Sequence, residues 1–249
     1  IKEAVDMVVI HSDITYTSRS CFNVLRARGF STHFMVDWDG TIYQSVDAGS
    51  RAVHAACDFI TDVNNRSIGI DMNCFQSNFI NRSDASPTGP MIDQFAKPGG
   101  KRRLSEVIEI NGSPWKSWGF TDPQYVALIK LLQVLVARFD IAKTAPVTET
   151  GEIVWQVPDD DTCGEAGKSI GIWGHLHLKA TKADPGPGFD WKRVLAGLVQ
   201  EHNAFPLELV EGKSIESLLT EQKVNRLAKV YYDNTEKSDI GGYYPVGLG

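Results

Sequence analysis

Residues 172–191 read IWGHLHLKATKADPGPGFDW and supply an imidazole at His175, an ammonium at Lys182 and a carboxylate at Asp184, ahead of a stiff Pro-Gly-Pro. A second apolar run, MVVI at residues 7–10, ends on His11 with Ser12 and Asp13 behind it. Two imidazoles at strand ends, one loop carboxylate and an open fourth position is a common way to hold a catalytic zinc. Such an ion lowers the pKa of a water to about 7 and polarises a carbonyl. Lys182, two residues before Asp184, would then face the oxyanion that develops on an attacked amide. Asp71 closes the run SIGID and is the best-placed carboxylate to take the proton of a water nucleophile. His54, in AVHA, is a candidate to contact substrate or assist proton transfer.

Each of these residues has an ordinary explanation on its own. A histidine after an apolar strand is often a satisfied core or surface residue, Asp before Pro is a common turn starter, and a loop lysine is usually solvated. Their combination at strand ends and adjacent loops, where functional groups are displayed, is more specific than any member. His177 rivals His175, because on a continued strand the two would share a face. Gly174 directly before His175 is expected to leave space for the ion and favours His175. The backbone at Asp184 is restricted by Pro185 and Pro187, giving the carboxylate a pre-shaped support.

The elements that must position these groups alternate strand and helix. Strands are expected at residues 7–10, 34–36, 41–46, 67–72 and 169–173, with Asp39-Gly40 marking a hairpin. A short helix is expected from Cys21 to a stop at Gly29. A second begins at Thr121, where Thr121 with Gln124 fits a capping box and Pro123 occupies the first turn. A third runs from Trp191 to about His202 with Asp190 as cap, and residues 214–230 carry helical periodicity. This predicts an α/β fold with a mixed central β-sheet flanked by helices and interrupted by long inserted loops. The domain division is residues 1–205, with insertions at 76–118 and 144–168, followed by a C-terminal helical segment and tail over 206–249, a candidate linker to a further module. The basic triplet at 101–103 and the acidic triplet at 159–161 are expected on the surface.

The chain has 249 residues, 42% apolar and 22% charged, and a net charge of −6. That composition describes an ordinary globular protein, and the charge argues against nucleic acid or an anionic membrane as partner. No apolar run approaches the ~20 residues of a membrane-spanning helix. The opening residue is Ile1, which is compatible with a segment removed ahead of it or with a fragment. Cys21, Cys57, Cys74 and Cys163 form no C-x-x-C pair, so a structural zinc knot is not expected, and their disulfide state is left open.

The segments VVIHSD, THFMVDWDGTIYQSVD, AVHA, NNRSIGID, FTDPQYVALIKLL and GHLHLKATKADPGPGFDW occur in one order over residues 7–200. Together they resemble the zinc-dependent N-acetylmuramoyl-L-alanine amidases, the family of T7 lysozyme, the muropeptide amidases and the peptidoglycan recognition proteins. DPGPGFDW is most similar to the muropeptide amidase branch, whose third ligand is Asp. The resemblance implies Zn2+ held by His11, His175 and Asp184, a catalytic Lys182, and Asp71 where that branch has a glutamate. His54 and Asn64 are the candidate substrate contacts. It implies hydrolysis of the amide between the lactyl group of N-acetylmuramic acid and L-Ala of peptidoglycan stem peptides. The partner would be peptidoglycan or a muropeptide, and the location periplasmic or secreted, or cytoplasmic in muropeptide recycling. The alternative is a non-catalytic peptidoglycan-binding module of the same fold, which would typically lack a complete ligand set. Val53 departs from the family's usual tryptophan, and the long insertion is expected to wall the substrate groove.

Overall fold

Residues 7–10 are four consecutive apolar side chains, three of them β-branched, a pattern that favours an extended chain buried on both faces. In the computed structural model, which describes residues 5–74, 90–158, 170–199, 228–230 and 244–248, they open strand β1 (Met7–Asp13). β1 runs on through His11, so the histidine lies inside the strand and not at its end. Beside β1 the sheet is parallel, with β4 (Ser67–Asn73) on one side and β7 (Gly171–Gly174) on the other. β2 (Phe34–Val36) pairs parallel with β4 and antiparallel with β3 (Ile42–Gln44), across the turn at Asp39-Gly40. β8 (Ala228–Val230) and β9 (Tyr244–Leu248) complete a mixed seven-stranded sheet in the order β7-β1-β4-β2-β3-β9-β8. Residues 228–230 are thus strand, although helical periodicity extends through them; the rest of that expected helix, from residue 214, lies outside the described residues.

The two faces of the sheet differ in chemistry. Val8, Ile10, Ile68, Ile70, Met72 and Ile172 face a core filled by Leu128, Leu132 and Leu135 of α4 (Asp122–Phe139) and by Trp191, Val194 and Leu198 of α5 (Trp191–Val199). Burial of each such side chain contributes roughly 1.5–3 kcal/mol. The alternate residues Met7 and Val9 pack with Val63, Trp173 and Leu178 on the opposite face. The period of two along a strand carries His11 to that same face. Its register partners on β4 put Ser67 beside Met7, Gly69 beside Val9 and Asp71 beside His11. One face is therefore a dry helix-covered core, and the other turns from apolar to ionisable along β1.

The helices begin where the sequence specifies. Thr121 accepts the Gln124 amide hydrogen, and the Gln124 side chain accepts that of Thr121, closing the capping box of α4. The Gln124 amide also donates to the carbonyls of Val36 and Asn73, tying the helix start to β2 and β4. Thr17 caps α1 (Ser18–Ala27), the single turn of α2 (Val63–Arg66) leads directly into β4, and the Asp190 carboxylate accepts the Arg193 amide hydrogen at the start of α5. Inside the 76–118 insertion, α3 (Pro90–Ala96) and a hairpin of β5 (Ile108–Ile110) and β6 (Ser113–Trp115) are formed. Residues 75–89 and the acidic triplet lie outside the described residues. Arg102, expected on the surface, is buried. Among the described residues no helix is long and apolar enough to cross a membrane. Cys21 and Cys57 are free thiols, and Cys163 lies outside the described residues.

Candidate metal centre and active site

His11 and Asp71 are neighbours because parallel β1 and β4 pair in register at that position. His175 reaches the same place differently. β7 stops at Gly174, and residues 175–177 form a single 3-10 turn rather than more strand. The chain then loops back: the Leu176 amide donates to the carbonyl of Asp184 at 2.9 Å, closing the nine-residue return between the two ligand candidates. The Asp184–Pro185 bond is cis. A Cβ at Gly174 would lie 2.7 Å from Pro185 Cδ and 3.2 Å from the Trp191 ring. The bare position expected to leave space for an ion is thus filled by Pro185 and Trp191, and its role is to let the Asp184 turn close onto β7.

His11, His175 and Asp184 converge, each offering a ligand atom within 4.8 Å of the others. Asp184 Oδ2 lies 3.0 Å from His11 Nδ1 and 3.2 Å from His175 Nδ1. Tetrahedral zinc with ligand bonds of ~2.0–2.1 Å has ligand–ligand edges of ~3.3 Å, so the two edges that meet at Asp184 are close to the size such an ion needs. Two nitrogen donors with one carboxylate oxygen suit zinc better than calcium or magnesium, which prefer all-oxygen shells. The donor set therefore fits a single zinc ion. Burial would raise the Asp184 carboxyl, but the charges and hydrogen bonds of His175 and His11 outweigh it and hold it well below the usual range. Burial lowers both histidines. For His11 the Asp184 hydrogen bond and the Asp71 and Asp184 charges reverse the direction; for His175 burial wins. Asp71, 8% exposed, is raised by burial and by the Asp184 charge, partly offset by His11.

The other predicted residues divide. Lys182 is exposed, and its charge lowers the proton affinity of both His11 and His175. His177 is fully buried, accepts the Gly174 amide hydrogen at Nδ1 and donates from Nε2 to the Val154 carbonyl. Burial pushes its pKa down to about 4, and both nitrogens are committed to backbone. The ring nitrogens of His54 lie 3.0 Å from His11 Nε2 and 3.1 Å from Ser67 Oγ. Asn64 spends its amide on the backbone of His54 and Ala55, accepting both N–H groups and donating to the Ala55 carbonyl. Sequence reasoning missed Asn111, at the β5–β6 turn. Its amide donates to the carbonyls of Leu176 and Lys182, both at 3.0 Å, and accepts the Val157 amide hydrogen. The only signal available for it was the Asn-Gly turn pair.

The family model described as N-acetylmuramoyl-L-alanine amidase matches residues 2–187, most of the chain and every residue of the cluster. The chain belongs to this amidase family. Among solved structures, the amidase is similar to LysC from Clostridium intestinale, at 18% identity over 78% of this chain and 85% of that one, with a TM-score of 0.43. It is similar to E. coli AmiD, in complex with anhydro-N-acetylmuramic acid-L-Ala-D-gamma-Glu-L-Lys, at 18% identity over 79% of this chain and 58% of that one, TM-score 0.46. It is also similar to AMPDH3 from Pseudomonas aeruginosa, in complex with an anhydromuramic pentapeptide, at 15% identity over 79% and 61%, TM-score 0.48. No curated protein sequence matches the amidase.

Proposed function

We propose that this amidase hydrolyses the bond between the lactyl carbonyl of N-acetylmuramic acid and the L-Ala nitrogen of a peptidoglycan stem peptide, with zinc held by His11, His175 and Asp184. The observation that carries this is the convergence of two imidazole nitrogens and one carboxylate oxygen at 3.0 and 3.2 Å in a chain of this family. When bound, zinc supplies an acidified water and polarises the scissile carbonyl.

The chain's own residues supply the rest. Asp71, beside His11 and with its pKa raised by burial, takes the proton of the attacking water. The water oxygen bonds to the carbonyl carbon, and Lys182 faces the oxygen on which negative charge collects. As the carbon–nitrogen bond breaks, Asp71 returns the proton to the departing L-Ala amine. The β5–β6 hairpin packs through Ile110 against Leu176 and Ala183, beneath the loop that carries Lys182. It thereby borders the site, and residues 90–118 of the insertion form a wall of the substrate groove. Residues 1–205 act as the catalytic unit, in the periplasm or outside the cell where the wall lies, or in the cytoplasm on recycled muropeptides.

Zinc-loaded protein incubated with muropeptides and analysed by mass is expected to release free stem peptide with an N-terminal L-Ala. His11→Ala is expected to lose zinc and peptide release together. A zinc-loaded protein that frees no peptide from any peptidoglycan preparation would overturn the proposal.

A further inference from the structure

The geometry points to His54 as a positioning residue that fixes the tautomer and ring direction of His11, through a hydrogen-bond chain anchored on a backbone carbonyl. This rests on the reading of His11 as a metal ligand. The chain begins at the Val63 carbonyl, which can only accept, so the Ser67 hydroxyl 2.7 Å away must donate to it. With its proton so committed, Ser67 Oγ is the acceptor in its 3.1 Å contact with His54 Nε2, which must carry a hydrogen. A neutral imidazole protonated at Nε2 presents a lone pair at Nδ1. That lone pair lies 3.0 Å from His11 Nε2, so His11 donates from Nε2. Neutral His11 is left with a bare Nδ1, the atom directed at Asp184 Oδ2 from 3.0 Å. In the metal-free protein a proton on Nδ1 can bridge this pair; the lone pair that neutral His11 keeps there is the one a metal ligand must offer, and zinc would take it up in the loaded site.

His54 is held for this task on several sides. Asn64 grips its backbone and that of Ala55. Gly69 of β4 lies under the ring: a Cβ there would fall 2.5 Å from His54 Cγ. The His33 ring meets His54 edge-on at 5.6 Å, itself fixed by accepting the Gly69 amide hydrogen and donating to the Ser50 carbonyl. Every polar atom of the His54 ring is thus spent on the protein, which is what a ligand-orienting group needs and a substrate contact cannot have.

Two measurements test the chain without relying on turnover. In 15N-labelled, metal-free protein, long-range proton–nitrogen spectra are expected to show the neutral forms of His54 and His11 both protonated at Nε2. An Nδ1-protonated neutral His11 would overturn the proposal. Zinc affinity is then read by competition with a chromophoric chelator. His54→Leu is expected to weaken zinc binding by about 10–100-fold, as loss of such partners does. His54→Asn, whose side-chain oxygen replaces the Nδ1 acceptor, is expected to recover most of that loss. Gly69→Ala, which expels the ring, is expected to behave like His54→Leu. Wild-type zinc affinity in His54→Leu together with a raised KM for muropeptide would make His54 a substrate contact instead. If the wild-type protein bound zinc but released no peptide, the proposed function would fail while these readouts still decided the role of His54.

Discussion

Lys182 is the single side chain through which the proposed mechanism is most directly tested. It is exposed, yet its charge reaches both candidate histidine ligands, so it stands at the rim of the cluster and not among the ligands. In the proposed mechanism an ammonium there would strengthen its contact only as the carbonyl oxygen gains charge, which is the condition for lowering a barrier rather than merely tightening binding. Lys182→Ala is therefore expected to retain zinc and fold while lowering kcat by about 10²–10³, with little change in KM. Steady-state kinetics on a defined muropeptide alongside chelator competition would check this, and an unchanged kcat would return Lys182 to the ordinary surface. The convergence of His11, His175 and Asp184 was legible because groups able to bind metal stand beside apolar runs and a proline-stiffened turn. The partners of His54 were not. Its link to His11 spans 43 positions, depends on a missing Cβ at Gly69 and ends on a carbonyl that no side-chain pattern encodes.

At the scale of elements, α4 was readable from its capping box, but the neighbours of β1 were not. β1 and β4 are buried on both faces, so neither shows the alternation that would orient it, and the His11–Asp71 pairing follows only from tertiary register. The 76–118 insertion was visible as a break in pattern, whereas its hairpin and the task of that hairpin were hidden. The β5–β6 turn holds Asn111 at φ 50° and Gly112 at φ 75°, left-handed conformations that suit Asn-Gly. That turn aims the Asn111 amide at the carbonyls of Leu176 and Lys182, clasping the segment that separates His175 from Asp184. Asn111→Gly keeps the backbone conformation while removing the clasp. At ~0.5–1.5 kcal/mol for each of the three side-chain hydrogen bonds lost, it is expected to destabilise the fold by about 1.5–4.5 kcal/mol. Because the loop that carries Lys182 and Asp184 loosens, kcat is expected to fall about tenfold, a loss of ~1.4 kcal/mol in transition-state stabilisation. Thermal unfolding and kinetics of the variant would check both, and full activity with lowered stability would confine Asn111 to a structural role.

Across the whole molecule, Arg102 shows how a charge from the insertion is buried within reach of the acidic groups of the sheet side. Arg102, from the triplet expected in solvent, is 7% exposed, donates to Gln94 at 2.9 Å and lies over the Phe95 ring. Burial lowers its pKa, while Cys74, Asp13 and Asp37 on the sheet side favour its charged form. A run of three cations reads as solvated in sequence because nothing local reveals acidic groups contributed by distant strand ends. Asp37 is the telling partner. It follows β2 and accepts the Trp38 amide hydrogen at 2.9 Å, and it is 8% exposed. Burial pushes its carboxyl up to about 6, helped by Asp39 and opposed by backbone hydrogen bonds from Trp38 and Ser18 and by Arg102. A carboxyl whose folded pKa exceeds its unfolded value near ~3.9 holds its proton more tightly in the native state, so this stabilisation is complete below ~4. It is lost as pH rises through about 6. Asp37→Asn keeps an acceptor for the amide hydrogens without a charge to bury. The variant's stability relative to wild type is therefore expected to rise between pH 4 and 8, by on the order of 1–3 kcal/mol. At ~2–4 °C per kcal/mol for a chain of this size, thermal unfolding at fixed zinc concentration resolves the change. A difference in Tm that stays constant with pH would mean that Arg102 and the two amide groups already offset the burial of Asp37. Its carboxylate would then be held charged by those groups across the whole range.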